Sequence, residues 1–199
     1  MPVAGTTGVT TAQAPTSGAG RPTVSKQQWI YVTPYVKLGG QKSATSKKTG
    51  PAPFIRMSRP SILMVDPSPE SVELARFSLW RSKLDCAFGW FEDAERTIES
   101  LLSPQAQNQP ETLPFMIFIE PHLPRMEGLE LLHLLRSHPS TQALPVVMFA
   151  TSYDETDAAR SRAAGASDYI VKPVDAREFM QVVSDTVARW LPVGSKKAD

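Results

Sequence analysis

Phe115-Met-Ile-Phe-Ile119 runs straight into Glu120-Pro-His-Leu-Pro-Arg-Met-Glu-Gly128, and then into Leu129-Glu-Leu-Leu-His-Leu-Leu135. Five consecutive apolar residues without polar alternation predict a short strand buried on both faces. An acid stops the run, a Pro-containing loop follows, and leucines then recur at helical spacing. The stretch is one strand–loop–helix unit with a carboxylate at the carboxyl end of its strand.

The same unit recurs on either side. Upstream, Ser61-Ile-Leu-Met-Val65 is an apolar strand stopped by Asp66-Pro67-Ser68-Pro69. Ser68 as N-cap, Pro69 at the first position and Glu70 behind it start a helix that is expected to reach about residue 84. Residues 86–91 predict a second strand, 92–102 a helix, and 103–113 a polar Gln- and Pro-containing loop. Downstream, Pro145-Val-Val-Met-Phe-Ala150 predicts a strand, 154–164 a helix closed by Gly165, Tyr169-Ile-Val171 a last strand and 176–190 a last helix. Five strand–helix units in about 130 residues argue for a parallel sheet with helices on both faces. In such sheets functional groups collect at the carboxyl ends of the strands, here Asp66, Glu120 and Lys172. Two carboxylates and an ammonium in one crevice suit a divalent cation or a phosphoryl group.

The 199 residues carry 21 Lys+Arg and 20 Asp+Glu, a net charge of +1 that hides an asymmetry. Residues 1–65 hold eight cations and no acid, and 66–199 carry a net −7. Seven of the eleven glycines also fall in the first 60 residues. Such a segment buries too little apolar surface to offset chain entropy, so 1–59 is read as a basic, mostly disordered arm. The domain is expected over 60–191 and a short tail over 192–199. Within the arm, residues 29–38 concentrate Trp29, Tyr31 and Tyr35 among β-branched neighbours. They are a candidate docking motif whose Pro34 would keep any strand at a sheet edge or outside it. One cysteine, Cys86, excludes an internal disulfide and a Cys-based zinc cluster. No apolar run is long enough to span a membrane. The N-terminus does not read as a signal peptide, and a cytoplasmic location is expected. The basic arm suits nonspecific contact with an anionic surface, although it carries no nucleic-acid-binding motif.

Taken together, Ile62–Pro69, 120–128 and Gly165-Ala-Ser-Asp-Tyr-Ile-Val-Lys-Pro173 resemble the receiver domain of two-component response regulators. The resemblance covers about two thirds of the chain and implies a flavodoxin-like, five-stranded parallel sheet in the order 2-1-3-4-5. It also implies a site: two acids after the first strand that hold Mg²⁺, a phosphate-accepting aspartate after the third, a hydroxyl residue ending the fourth and a lysine after the fifth. Asp66 and Lys172 match their positions. Pro67 stands at the second acid, Glu120 at the acceptor and Ala150 at the hydroxyl residue. Thr151 is next to Ala150, but strand alternation predicts that it points to the other face. Tyr169 matches an aromatic that switches rotamer in the family, with plain packing as the alternative.

The resulting expectation is a degenerate pseudo-receiver, with no enzymatic activity, that signals through protein partners without phosphorylation. Glu120 would place its charge where a phosphoryl group's would be, holding Lys172; the bland alternatives are a solvated strand end, a surface lysine and, for Asp66, a helix cap. With nine residues after Trp190, no output domain is expected there. No cofactor is expected. Two rivals stay open: a phospho-accepting receiver in a phosphorelay, with Mg²⁺ held by Asp66 and Glu120, and an assembly subunit that keeps the fold as a docking scaffold.

Overall fold

The structure, a computed structural model, describes residues 29–30 and 60–193. The strands are β1 (Trp29–Ile30), β2 (Ser61–Val65), β3 (Ala87–Phe91), β4 (Met116–Ile119), β5 (Val146–Ala150) and β6 (Asp168–Val171). Between them lie α1 (Pro69–Arg81), α2 (Ala94–Leu101), α3 (Pro104–Asn108), α4 (Gly128–Ser137) and α5 (Glu155–Ala163), and α6 (Ala176–Trp190) follows the last strand. One sheet runs β1-β3-β2-β4-β5-β6. Its last five strands are all parallel and, counted from β2, stand in the expected order 2-1-3-4-5. The sheet has six strands rather than five, because β1 adds to the outer edge of β3 antiparallel, pairing Trp29 with Gly89 and Ile30 with Phe88. Tyr31, Tyr35, the rest of the 1–59 arm and residues 194–199 lie outside the described residues.

The apolar runs form strands because both of their faces are covered. One core joins Ile62, Met64, Phe88 and Phe118 to Val72 and Leu79 of α1 and to Phe179 and Val183 of α6. The other joins Leu63, Val65, Ile117 and Met148 to Leu101 of α2 and to Leu131, Leu132 and Leu135 of α4. Alternate residues of β2 thus serve opposite cores, which is why no polar residue interrupts it. Phe118, Phe149 and Phe179 stack across the first core with centroids 5.2 and 5.3 Å apart. Cys86 is buried just before β3, and burial pushes its thiol up to about 12, with the Asp85 charge adding. It is a core residue rather than a reactive one.

Most boundaries shift by one or two residues, and α2 covers Ala94–Leu101 rather than 92–102. The first helix stops at Arg81, three residues early, because Ser82 caps it and Lys83 takes φ 52° to turn the chain into β3. The polar stretch expected as a loop folds into α3 and a 3₁₀ turn at Pro110–Thr112. Its signal was present in the sequence, since the Ser103 side chain caps Ala106 N–H with Pro104 at N1. The leucine helix begins at Gly128, one residue early.

Gly128 is fixed by sterics. A Cβ there would stand 2.4 Å from the Glu120 carbonyl oxygen and 2.9 Å from Ile119 Cγ2. The Gly128 N–H instead bonds Pro121 O at 2.7 Å and folds the 121–127 loop back onto β4. Gly128→Ala is expected to lower stability by about 1–3 kcal/mol through that forced shift, read as a lower urea midpoint with the slope unchanged.

Candidate functional site

Each site residue comes one position after a strand whose hydrogen-bond ladder it completes. Asp66 N–H bonds Phe91 O at 3.0 Å, Glu120 N–H bonds Val65 O at 2.9 Å and Lys172 N–H bonds Ala150 O at 2.7 Å. The backbone at the ends of β2, β4 and β6 is thereby pinned, and the side chains emerge at the carboxyl edge of the sheet, where the sequence placed them.

There Lys172 Nζ lies 2.6 Å from Asp66 Oδ2 and 2.5 Å from Glu120 Oε2. The side chains of Lys172, Asp66 and Glu120 are only 8%, 1% and 4% exposed. The lysine is therefore a buried bridge, not a surface residue, and Glu120 is not a solvated strand end. The ammonium also stands 5.7 Å from the centroid of the Phe149 ring, an aromatic wall that favours a cation. Asp66 does two things at once: Oδ1 accepts the Ser68 N–H at 2.9 Å, organising the start of α1, while Oδ2 faces Lys172. Burial raises the Asp66 carboxyl above its ordinary value; Lys172 and the Ser68 hydrogen bond oppose the rise, and the Glu120 charge adds to it.

The expectation for Thr151 needs correction. Its hydroxyl donates to Glu120 Oε2 at 2.9 Å. Strand alternation does not reach it, because β5 ends at Ala150 and the chain bends at the next residue. Ala150 is buried and supplies no hydroxyl, as its identity dictates, but its neighbour delivers one to the same carboxylate. The signal was the sharp change from apolar residues to Thr151-Ser-Tyr-Asp154. The remaining Glu120 oxygen, Oε1, accepts the His122 N–H at 3.3 Å. Pro67 is exposed and offers no oxygen ligand from its side chain.

Around this centre lie contacts that sequence reasoning missed. Arg125 takes φ 68° and forks onto Glu95, with Nε 2.7 Å from Oε1, while its Nη2 lies 3.0 Å from Asp93 Oδ2. Asp93 is buried and caps α2 through the Arg96 N–H, so the fork ties the 121–127 loop to that helix. The His122 ring is exposed, with Nδ1 3.3 Å from Glu127 Oε2 and Nε2 3.7 Å from Asp157 Oδ2. Tyr169 is half-buried, meets Tyr153 edge-on at 6.4 Å and reaches Ser152 O at 3.5 Å. Trp29 is near none of these residues in the sheet; it lies on β3, at the opposite edge from β6.

Magnesium needs several oxygen ligands in near-octahedral geometry. In this site Asp66 Oδ1 and both Glu120 oxygens accept hydrogen bonds, Asp66 Oδ2 faces the Lys172 ammonium as an ion pair without a hydrogen-bond partner, and Pro67 adds no side-chain oxygen. Asp66 and Glu120 are the two carboxylates that could reach the ion, and the Lys172 ammonium already stands between them.

The profile of the response regulator receiver domain matches residues 62–184, and the chain belongs to that family. It is 37% identical over 82 residues to the phosphate regulon transcriptional regulatory protein PhoB of Rhizobium meliloti, covering 41% of this chain and 36% of that regulator. The chain thus spans about a third of that regulator's length. It is 25% identical over 130 residues to response regulator Rcp1 of Synechocystis, covering 65% of this chain and 88% of that protein. Among solved structures, the Mn²⁺-bound form of Rcp1 superposes with a TM-score of 0.61 at 24% identity, over 70% of this chain and 99% of that one. The phosphorylated cyanobacterial phytochrome response regulator RcpA gives 0.62 at 22% identity, over 71% and 100%. The fold is that of a two-component signalling receiver. Among the described residues, no helix is long and apolar enough to cross a membrane.

Lys172→Met should be among the most damaging single changes, because it strands two buried carboxylates without a cation. The expected loss is on the order of 3–5 kcal/mol, measured by urea unfolding at neutral pH. A pH series on Asp66→Asn tests the raised carboxyl. The folded state favours the neutral acid, so the Asp66 contribution to stability is complete below its ordinary value of 3.8 and is lost as pH climbs through the higher folded-state value. The stability of the native protein minus that of Asp66→Asn is therefore expected to fall as pH rises above about 4. A difference that stays flat or grows would contradict the assignment.

Proposed function

We propose that this chain is a response-regulator signalling module of pseudo-receiver type: its site is held in one arrangement without phosphorylation, and it acts through protein–protein contact. One observation carries the reading. A single oxygen, Glu120 Oε2, accepts both the Lys172 ammonium at 2.5 Å and the Thr151 hydroxyl at 2.9 Å. In the family a phosphorylated aspartate presents its anionic oxygens to a lysine and a hydroxyl residue. Glu120, one methylene longer than aspartate, carries a fixed negative charge out to a comparable pair of donors. On this reading Glu120 is a built-in stand-in for the phosphoryl group, Asp66 and Lys172 are retained to hold it, and Tyr169 lies beside the loop that carries Thr151.

The phospho-accepting alternative requires a free carboxylate oxygen for in-line attack and a metal to neutralise the incoming charge. Glu120 Oε2 accepts two donors, while Oε1 accepts only the His122 N–H at 3.3 Å and keeps a lone pair. It is the metal requirement, with Pro67 in place of an acid, that speaks against transfer. The partner is a protein, and the basic arm suits an additional anionic contact.

Incubation with a small phosphodonor and millimolar Mg²⁺, followed by intact mass measurement, tests the reading. The native chain is expected to stay unmodified, and the fluorescence of Trp90, whose indole N–H bonds Asp66 O at 2.7 Å, to ignore magnesium. The triple variant Pro67→Asp, Glu120→Asp, Ala150→Thr is expected to gain one phosphoryl group. Saturable magnesium binding together with a mass increase in the native chain would overturn the proposal.

A further inference from the structure

Two large aromatic side chains of α1, Phe77 and Trp80, remain 44% and 46% exposed, with ring centroids 5.3 Å apart. Their place on the helix is defined by its neighbours. Ser78 faces α6, because its hydroxyl bonds Met180 O, and Val72, Ala75 and Leu79 face the sheet. At 100° per residue, Trp80 stands 200° round from Ser78, on the flank turned away from α6. α6 follows β6 at the far edge of the sheet, so that flank lies over β3 and the strand beyond it, which is β1.

The direction of β1 makes this placement meaningful. Trp29 is opposite Gly89 and Ile30 opposite Phe88. An antiparallel strand continued in that register sets residue 31 opposite Ala87 and residue 32 opposite Cys86, moving towards the end of α1 that carries Trp80. The chain is tied at its return as well, since Pro60 O accepts the Ala87 N–H at 2.8 Å. Residues 31–59 therefore begin and end at the same end of β3, about two strand spacings, or roughly 10 Å, apart. Of the residues that leave β1, the first eight include Tyr31, Val32, Tyr35, Val36 and Leu38. The two described residues that flank the segment, Ile30 and Pro60, thus lie towards the end of β3 at which α1 ends.

The geometry points to the Phe77–Trp80 flank of α1 as an intramolecular docking surface for residues 31–38, which would extend β1 along β3 and cover the two rings. The segment leaves β1 directly and the longer 31–59 stretch returns at Pro60, so association pays no translational cost, which a separate partner or a second copy would have to meet. Covering the outer edge of the sheet also removes a template for pairing with another chain.

Hydrogen exchange with mass spectrometry on the full-length protein is the test, and its readout is independent of the phosphodonor experiment. In the native chain, amides of residues 31–36 are expected to exchange at least about tenfold more slowly than those of 40–58. Phe77→Ser/Trp80→Ser should bring both segments to one rate while β2 and β4 keep their protection. Tyr31→Ser/Val32→Ser, which alters no described residue, should release the same protection and serves if the helix variant unfolds. Equal rates for 31–36 and 40–58 in the native chain would overturn the inference. So would protection that survives both variants, or protection that appears only as protein concentration rises, which would assign the surface to a second copy.

Discussion

The ammonium of Lys172 is what allows Asp66 and Glu120 to be buried together. An unpaired carboxylate at 1% or 4% exposure loses several kcal/mol of hydration, and two of them side by side add repulsion. Neither can withdraw, because the backbone N–H groups of Asp66 and Glu120 close the ladder at the ends of β3 and β2. A lysine supplied by β6, the far strand, therefore reaches across β5 to neutralise charges on β4 and β2. The order of the parallel strands and the electrostatics of the site are one constraint seen from two sides.

The 121–127 loop depends on that centre. It starts at Glu120, whose carboxylate accepts the His122 N–H, and it closes where Gly128 packs on the Glu120 carbonyl. Between these points Arg125 adopts a left-handed conformation that disfavours a side chain. Its fork onto Glu95 and Asp93 offsets the strain and anchors the loop to the first turn of α2. The ion pair is solvent-exposed on the arginine side, so its value lies in geometry more than in energy. A displacement of Glu120 would be felt at the α2 N-terminus through this chain of contacts.

The five parallel strands were legible because β2, β4 and β5 are unbroken apolar runs, each ended by a charged or bending residue, a pattern that exposed strands do not show. Asp66, Glu120 and Lys172 were legible for the same reason: a charge directly after such a run must sit at the sheet's edge. Thr151 was misplaced because strand periodicity was carried one residue past the end of the strand. The Arg125 fork was invisible, since 30 residues separate it from Glu95 and no local pattern encodes a contact made by tertiary folding. The boundary at Arg81 was missed for another reason. Leu84 kept the helical apolar spacing, and nothing in the identity of Lys83 announces φ 52°.

The departures from the family pattern make electrostatic sense as a set rather than singly. A site with three carboxylates and one lysine carries a formal charge of −2, which calls for a divalent cation before another anion can approach. Replacing one acid by Pro67 leaves Asp66 and Glu120 against Lys172, a formal −1. On the proposed reading one lysine then holds both acids, and the site has less electrostatic need of a metal. Lengthening the acceptor to glutamate acts in the same direction, bringing its carboxylate to Thr151 and Lys172 without a transferred group to bridge the gap. Restoring only the second acid would return the site to −2 with Glu120 still held by Lys172 and Thr151, and restoring only the shorter acceptor would leave the metal short of a ligand. On the proposed reading these changes support one another, and a site altered in this concerted way differs from one that has merely decayed.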